Sequence, residues 1–274
     1  MTASANAPSR AEAVVAAATG SVTLTYDGAI AEIALANGPM NLVTRPMLRQ
    51  LNKAIADIAA RSDIRALIVH GGEARAFCAG SDIKEFDGLR EDASEYKILF
   101  EDLVLRNLAE LHIPTIAALN GHALGGGFEI ALCCDLRVLE RGAKIGLPEN
   151  KLGGLAGNGA VRMTRLIGPS RAKHLLFTGA LISDERCVDW GLVNDLVDKG
   201  QSLAFARKLA REIAERGPLS NRYAKMLVDA AQEGPIDAAL SLSTQLQQKI
   251  FESEDLQRGA EAFLHKTTPE FKGD

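Results

Sequence analysis

Three consecutive glycines, Gly125 to Gly127, run straight into Phe128, Glu129 and the apolar stretch Ile130-Ala131-Leu132-Cys133-Cys134, and they constrain this chain more than any other feature. Glycine admits positive φ and lets other groups come close to the main chain. The run behind the triplet is apolar enough to open a buried helix. The first N–H groups of such a helix have no partner within it and favour negative charge. Glu129 falls in that first turn. Glu149 follows twenty residues later, after an apolar strand-like segment, on a short loop next to Pro148. Two carboxylates beside backbone donors are a pattern for acid–base chemistry on a carbonyl. The same residues also admit a plainer role, with Glu129 complementing a helix dipole and Glu149 a solvated loop residue.

The flanking segments alternate between strand and helix. Ser21 to Tyr26 alternates as a strand, Asp27-Gly28 is a hairpin signal, and Ala29 to Leu35 returns as a second strand. From Arg45 to Ala60, Met47, Leu48, Leu51, Ala54, Ile55 and Ile58 follow helical spacing, with Pro46 suited to the first turn. Arg65 to His70 reads as a buried strand, so right-handed crossover units with covered sheets are expected. The loop that follows packs Ala79-Gly80-Ser81-Asp82 between Arg75 and Lys84. It is either a place where a ligand meets backbone or a tight turn with two solvated cations. A helix from Glu95 to Leu111 and a strand from Ile113 to Leu119 lead into the triplet. Beyond Glu149, helices are expected at Ala160–Leu166 and Ser170–Thr178, then Ser183 as N-cap of Asp184–Trp190, then a strand from Leu192 to Val197. Three regions result: a flexible tail at 1–20, an α/β core at 21–200 carrying the site, and a helical region at 201–274.

Composition narrows the function. The 274 residues carry a net charge of −4, which does not favour a nucleic-acid partner. No apolar run approaches the ~18 residues of a membrane span. Cys78, Cys133, Cys134 and Cys187 form no CxxC pair and the five histidines lack metal spacing, so neither a metal nor disulfides are expected. The Ala- and Ser-rich start lacks the pattern of a signal peptide, and the expected location is cytoplasmic.

Three motifs then fall into one pattern: Ala76-Phe77-Cys78-Ala79-Gly80-Ser81-Asp82-Ile83-Lys84, Asn120-Gly121-His122-Ala123-Leu124-Gly125-Gly126-Gly127-Phe128-Glu129, and Gly146-Leu147-Pro148-Glu149. Their order and spacing resemble the enoyl-CoA hydratase/isomerase (crotonase) family from about Val22 to Lys272. The resemblance implies a crotonase-like α/β spiral of ββα units with a C-terminal helical trimerisation region, giving a homotrimer or a dimer of trimers. It implies an acyl-CoA substrate with no separate cofactor, coenzyme A being part of that substrate. It places an oxyanion hole at the backbone N–H groups of Ser81 and Gly126, and catalysis at Glu129 and Glu149. Glu149 is read as the acid and Glu129 as the base or water-positioner. Coenzyme A contacts are implied for Lys84, Arg75 and Arg45, and for Phe263 and Lys266 reaching a neighbouring subunit. Each of these five also reads as ordinary surface or core. Two glutamates favour a 2-enoyl-CoA hydratase. The alternatives are an acyl-CoA isomerase, a hydro-lyase for branched, aromatic or carnitinyl thioesters, or a non-catalytic coenzyme A binder.

The chain departs from the pattern at Ala156-Gly157-Asn158-Gly159-Ala160-Val161, which lacks a proline and a threonine usual there. Asn158 is expected to cap the following helix. The Ser81 hydroxyl is expected to cap a turn.

Overall fold

The computed structural model describes residues 22–183 and 185–274. The expected tail at 1–20, the Ser21 start of the first strand and the Asp184 start of a helix lie outside the described residues. The chain opens on an antiparallel hairpin, β1 (Val22–Asp27) and β2 (Ile30–Leu35), joined through Gly28. Helix α1 (Arg45–Ala59) follows. The Thr44 hydroxyl caps it by accepting from the Met47 N–H at 3.4 Å, and Pro46 sits in the first turn, where a missing N–H costs nothing. The buried stripe of α1 is Met47, Leu48, Leu51, Ala54, Ile55 and Ile58, the spacing visible in the sequence.

Three strand pairs come next. They are β3 (Ala66–His70) with β4 (Ala76–Cys78), β5 (Thr115–Leu119) with β6 (His122–Leu124), and β7 (Leu136–Glu140) with β8 (Lys144–Gly146). A π-helical turn (Ser94–Ile98) running into α2 (Leu99–Ala109) separates the first two pairs, and α3 (Gly126–Leu132) separates the last two. The first strand of each pair joins a six-stranded sheet of order β1-β2-β3-β5-β7-β10, and the second joins a four-stranded sheet of order β4-β6-β8-β9. Each turn of the spiral thus adds one parallel strand to both sheets.

The chain continues through α4 (Gly157–Thr178), β9 (Ile182–Ser183), α5 (Glu185–Asp189) and β10 (Asp195–Val197). Helices α6 (Ser202–Ala214), α7 (Pro218–Glu233), α8 (Ile236–Glu252) and α9 (Glu254–His265) complete it. The two helices expected between 160 and 178 are the arms of α4, which is kinked at Gly168 (φ 77°) before Pro169. Ser183 is the last residue of β9, not a helix cap. The strand expected from Leu192 begins only at Asp195, because the Leu192 and Val193 N–H groups both turn back to the Cys187 carbonyl.

Strand alternation puts Ile30, Ala66, Ile68, Ile116, Ala118 and Val138 on one face of the large sheet, covered by Ala206, Ala210 and their neighbours on α6. Ile33, Leu67, Val69, Ala117, Leu119 and Leu139 face the main core on the other side. Both faces are covered, so the central strands read as near-continuous apolar runs. Arg207 of α6 clamps this packing with two 2.7 Å hydrogen bonds to the buried Glu32 carboxylate on β2.

The small sheet positions the site. Strands β4, β6 and β8 are adjacent and parallel, so their C-terminal ends lie side by side. Those ends release the Ala79–Asp82 loop, the glycine triplet and the Leu147-Pro148-Glu149 segment.

Candidate active site

Close packing of three strand ends explains the glycines. Gly125 has φ 53° and donates to the Gly146 carbonyl at 2.9 Å, and a Cβ there would stand 2.9 Å from Glu149 Oε1. A Cβ on Gly127 would overlap the Cys78 carbonyl oxygen. Only glycine lets the triplet pass between β4 and Glu149.

Two backbone donors are left over. Val43 pairs with Ser81 in a single parallel bridge, in which the Val43 N–H reaches the Gly80 carbonyl and the Asp82 N–H reaches the Val43 carbonyl, both at 2.9 Å. That pattern turns the N–H of Ser81 itself to the opposite side. The Gly126 N–H begins α3. Among the described residues, neither N–H donates to a protein acceptor. The two lie close together, since a Cβ on Gly126 would sit 3.2 Å from Ser81 Oγ.

Both glutamates lie near the triplet. Glu129 is buried, and its Oε1 accepts from the Gly159 N–H at 2.7 Å. Burial pushes its carboxyl up to about 7 against that bond, with Glu101 and Glu149 adding like charge. Glu149 opens a 3-10 turn (Glu149–Leu152), and burial raises its carboxyl too. Its Oε2 is buried and has no hydrogen-bond partner among the described residues. A buried and a half-buried carboxyl that both ionise reluctantly, close to two N–H groups without an acceptor among the described residues, suit acid–base chemistry on a carbonyl.

The model of the enoyl-CoA hydratase/isomerase family matches residues 25–274. The chain belongs to that family. A probable enoyl-CoA hydratase of Bacillus subtilis is 34% identical over 257 residues, covering 92% of this chain and 99% of its own. The short-chain-enoyl-CoA hydratase of Clostridium acetobutylicum is 32% identical, covering 89% and 95%. The crystal structure of an enoyl-CoA hydratase from Bacillus anthracis superposes with a TM-score of 0.88 at 32% identity, covering 92% of this chain and 99% of the other. The fold is therefore the expected crotonase spiral.

In this family member the expected coenzyme A residues do not all gather at the strand ends. Arg75 and Lys84 are exposed on the loops around β4. Arg45 is half-buried at the start of α1, its guanidinium 5.3 Å from the centre of the Phe100 ring and its Nη1 buried without a hydrogen-bond partner among the described residues. Phe263 and Lys266 are exposed at the end of α9, in the helical region. A cavity of about 830 Å³ between α2, α4 and α7 is lined by Asn158 but by none of Ser81, Gly126, Glu129 or Glu149. The expected catalytic and oxyanion residues therefore lie outside the lining of that cavity.

Two side-chain roles differ from expectation. Asp82, not Ser81, caps the turn at Ile83–Phe86, its Oδ1 accepting from the Lys84 N–H at 3.0 Å. The Ser81 hydroxyl instead faces Lys97 Nζ at 3.4 Å. Asn158 lies inside α4, whose N-cap is Ala156. It donates to Asp102 Oδ1 at 2.9 Å and accepts from Arg162 Nε at 2.7 Å, tying α2 to α4. The sequence reading missed Lys97 and Glu101, which form a 2.9 Å ion pair against Ser81 and Gly126. Their only signal is opposite charge at helical spacing, which most solvated helix faces share.

Proposed function

We propose that the protein hydrates a 2-enoyl-CoA thioester reversibly to the 3-hydroxyacyl thioester. The observation that carries this reading is that buried Glu129 and half-buried Glu149 lie close to two backbone N–H groups without an acceptor among the described residues. The thioester oxygen sits between the Ser81 and Gly126 N–H groups, whose dipoles meet the charge that develops there when C3 is attacked. One such donor is worth about 2.7–4 kcal/mol. A water is held by Glu129 and Glu149. Glu129 takes a proton as the water oxygen bonds to C3, and the electron pair of the double bond moves onto the thioester as an enolate. Glu149 delivers a proton to C2, so one water is added in all.

Geometry supports this division of labour. The Gly159 N–H stabilises negative charge on Glu129, whereas an unpartnered buried oxygen on Glu149 is poorly suited to charge and becomes a donor when protonated. For coenzyme A, Lys84 and Arg75 offer exposed cations and Arg45 an unpaired donor, and Phe263 and Lys266 fit contacts to a neighbouring subunit. Exposed Ile236, Leu240, Phe251, Phe263 and Leu264 on α8 and α9 fit a trimer interface.

The Clostridium relative is named for short-chain enoyl-CoA, which makes a short enoyl thioester such as crotonyl-CoA the first substrate to try. Loss of its conjugated thioester absorbance is followed with wild type, Glu129→Gln and Glu149→Gln. Hydration by wild type that vanishes in both variants, with coenzyme A affinity retained, is the expected result. Undiminished turnover in either variant, or a shifted double bond in place of the hydroxy product, would overturn the reading.

A further inference from the structure

Lys97 and Glu101 take no part in that hydration, yet their side chains are only 17% and 15% exposed. An ion pair withdrawn this far from water regains little of its desolvation cost from its own attraction. Among the described residues its valences are also not all filled. Lys97 carries three donors, directed in part to Glu101 Oε2 at 2.9 Å and Ser81 Oγ at 3.4 Å. Glu101 Oε1 stands 3.5 Å from the place a Cβ on Gly126 would take. A donor and an acceptor therefore lie side by side next to Gly126 and Ser81. Lys97 belongs to the π-helical turn Ser94–Ile98, a geometry frequent at functional sites, and the Phe86 ring lies 5.4 Å from its Nζ.

Three kinds of acyl group can be weighed against this pair. An alkyl chain would cover it and leave Glu101 Oε1 without a donor. A carboxylate would face Glu101 and Glu129, the ionised base of the proposed reaction, both of its own sign. A hydroxyl donates to Glu101 Oε1 and accepts from Lys97 Nζ, keeping both charges satisfied. We propose that Lys97 and Glu101 form a subsite that selects a short acyl group bearing a neutral hydroxyl. The inference rests on the hydratase reading for the position of the thioester.

Binding of saturated thioesters, which cannot be hydrated, separates the two ideas. Calorimetry compares 4-hydroxybutyryl-CoA, butyryl-CoA and glutaryl-CoA on wild type and on the Lys97→Met/Glu101→Leu double variant. The expected wild-type result is a preference for the hydroxyl thioester over both others of about fivefold or more, the worth of one hydrogen bond. The double variant should reverse it towards butyryl-CoA. Glu101→Gln, close to isosteric, serves if the double variant fails to fold, and should narrow the preference. Equal wild-type affinities, tighter binding of glutaryl-CoA, or a preference unchanged in the variants would overturn the subsite. Preference without hydration of crotonyl-CoA or 4-hydroxycrotonyl-CoA would sink the hydratase reading and leave the subsite standing.

Discussion

Glu129→Gln should stabilise the fold at alkaline pH while removing activity. The carboxyl stands at 4.5 in an unfolded chain and at about 7 in this site, chiefly through burial. Holding it ionised in the folded state therefore costs roughly 3 kcal/mol, at about 1.36 kcal/mol per pH unit. The sign follows from linkage. The folded state binds this proton more tightly than the unfolded chain, so the cost is fully present above pH 7, shrinks as pH falls from 7 towards 4.5, and is absent below that. Glutamine keeps an oxygen for the Gly159 N–H, carries no charge at any of these pH values, and also relieves repulsion with Glu101 and Glu149. Denaturant unfolding of both proteins at one protein concentration, at pH 8 and pH 5, reads the difference directly. The expected gain is about 1–3 kcal/mol at pH 8 and under about 1 kcal/mol at pH 5. A variant equally or less stable than wild type at pH 8 would refute the picture of Glu129 as a buried carboxyl held against its preference. A gain in stability joined to a loss of turnover is the expected mark of a group kept for chemistry.

Other consequences are narrower. If Glu129 is the base, kcat/KM for hydration should fall as pH drops through about 7, and a flat profile between pH 6 and 8 would contradict that role. Gly127→Ala drives a methyl group into the Cys78 carbonyl and should cost about 2 kcal/mol or more in thermal or denaturant unfolding. Arg207→Ala strands the buried Glu32 carboxylate and should cost about 2 kcal/mol at pH 7. Arg207 holds Glu32 below its usual range, so that loss should disappear as pH falls through the folded-state value and Glu32 protonates. Lys84→Ala should weaken coenzyme A binding at low salt and hardly at all at high salt, because the residue is exposed and its charge is screened.

How much of this was legible in the sequence depends on how local the cause is. The glycine triplet, the apolar run behind it and the two glutamates announce themselves because each answers to a neighbour in the chain or to a strand end. Gly125 needs a positive φ where β6 stops, and Glu129 lies in the first turn of α3. The stripe of α1 was legible for the same reason, since helical period alone selects Met47 through Ile58. Ser81 was legible as a backbone position but not as a hydroxyl, because what its Oγ meets comes from a helix sixteen residues away.

Lys97 and Glu101 show where local reasoning stops. The next residue along begins a second pair with the same spacing and opposite charges, Asp102 with Arg106, joined at 2.7 Å. By sequence the two pairs are equivalent i,i+4 ion pairs on one helix. In the fold, Asp102 and Arg106 are 36% and 63% exposed, whereas Glu101 and Lys97 are 15% and 17% exposed and lie against Gly126 and Ser81. One residue along an α-helix is a rotation of about 100° about its axis, enough to exchange solvent for active site. That phase is set by how the π-helical turn at Ser94–Ile98 delivers the chain into α2, and by where Val104, Leu105 and Leu108 of α2 seat in the core. Charge pattern fixes that a pair exists, and only packing decides which pair turns towards Ser81 and Gly126.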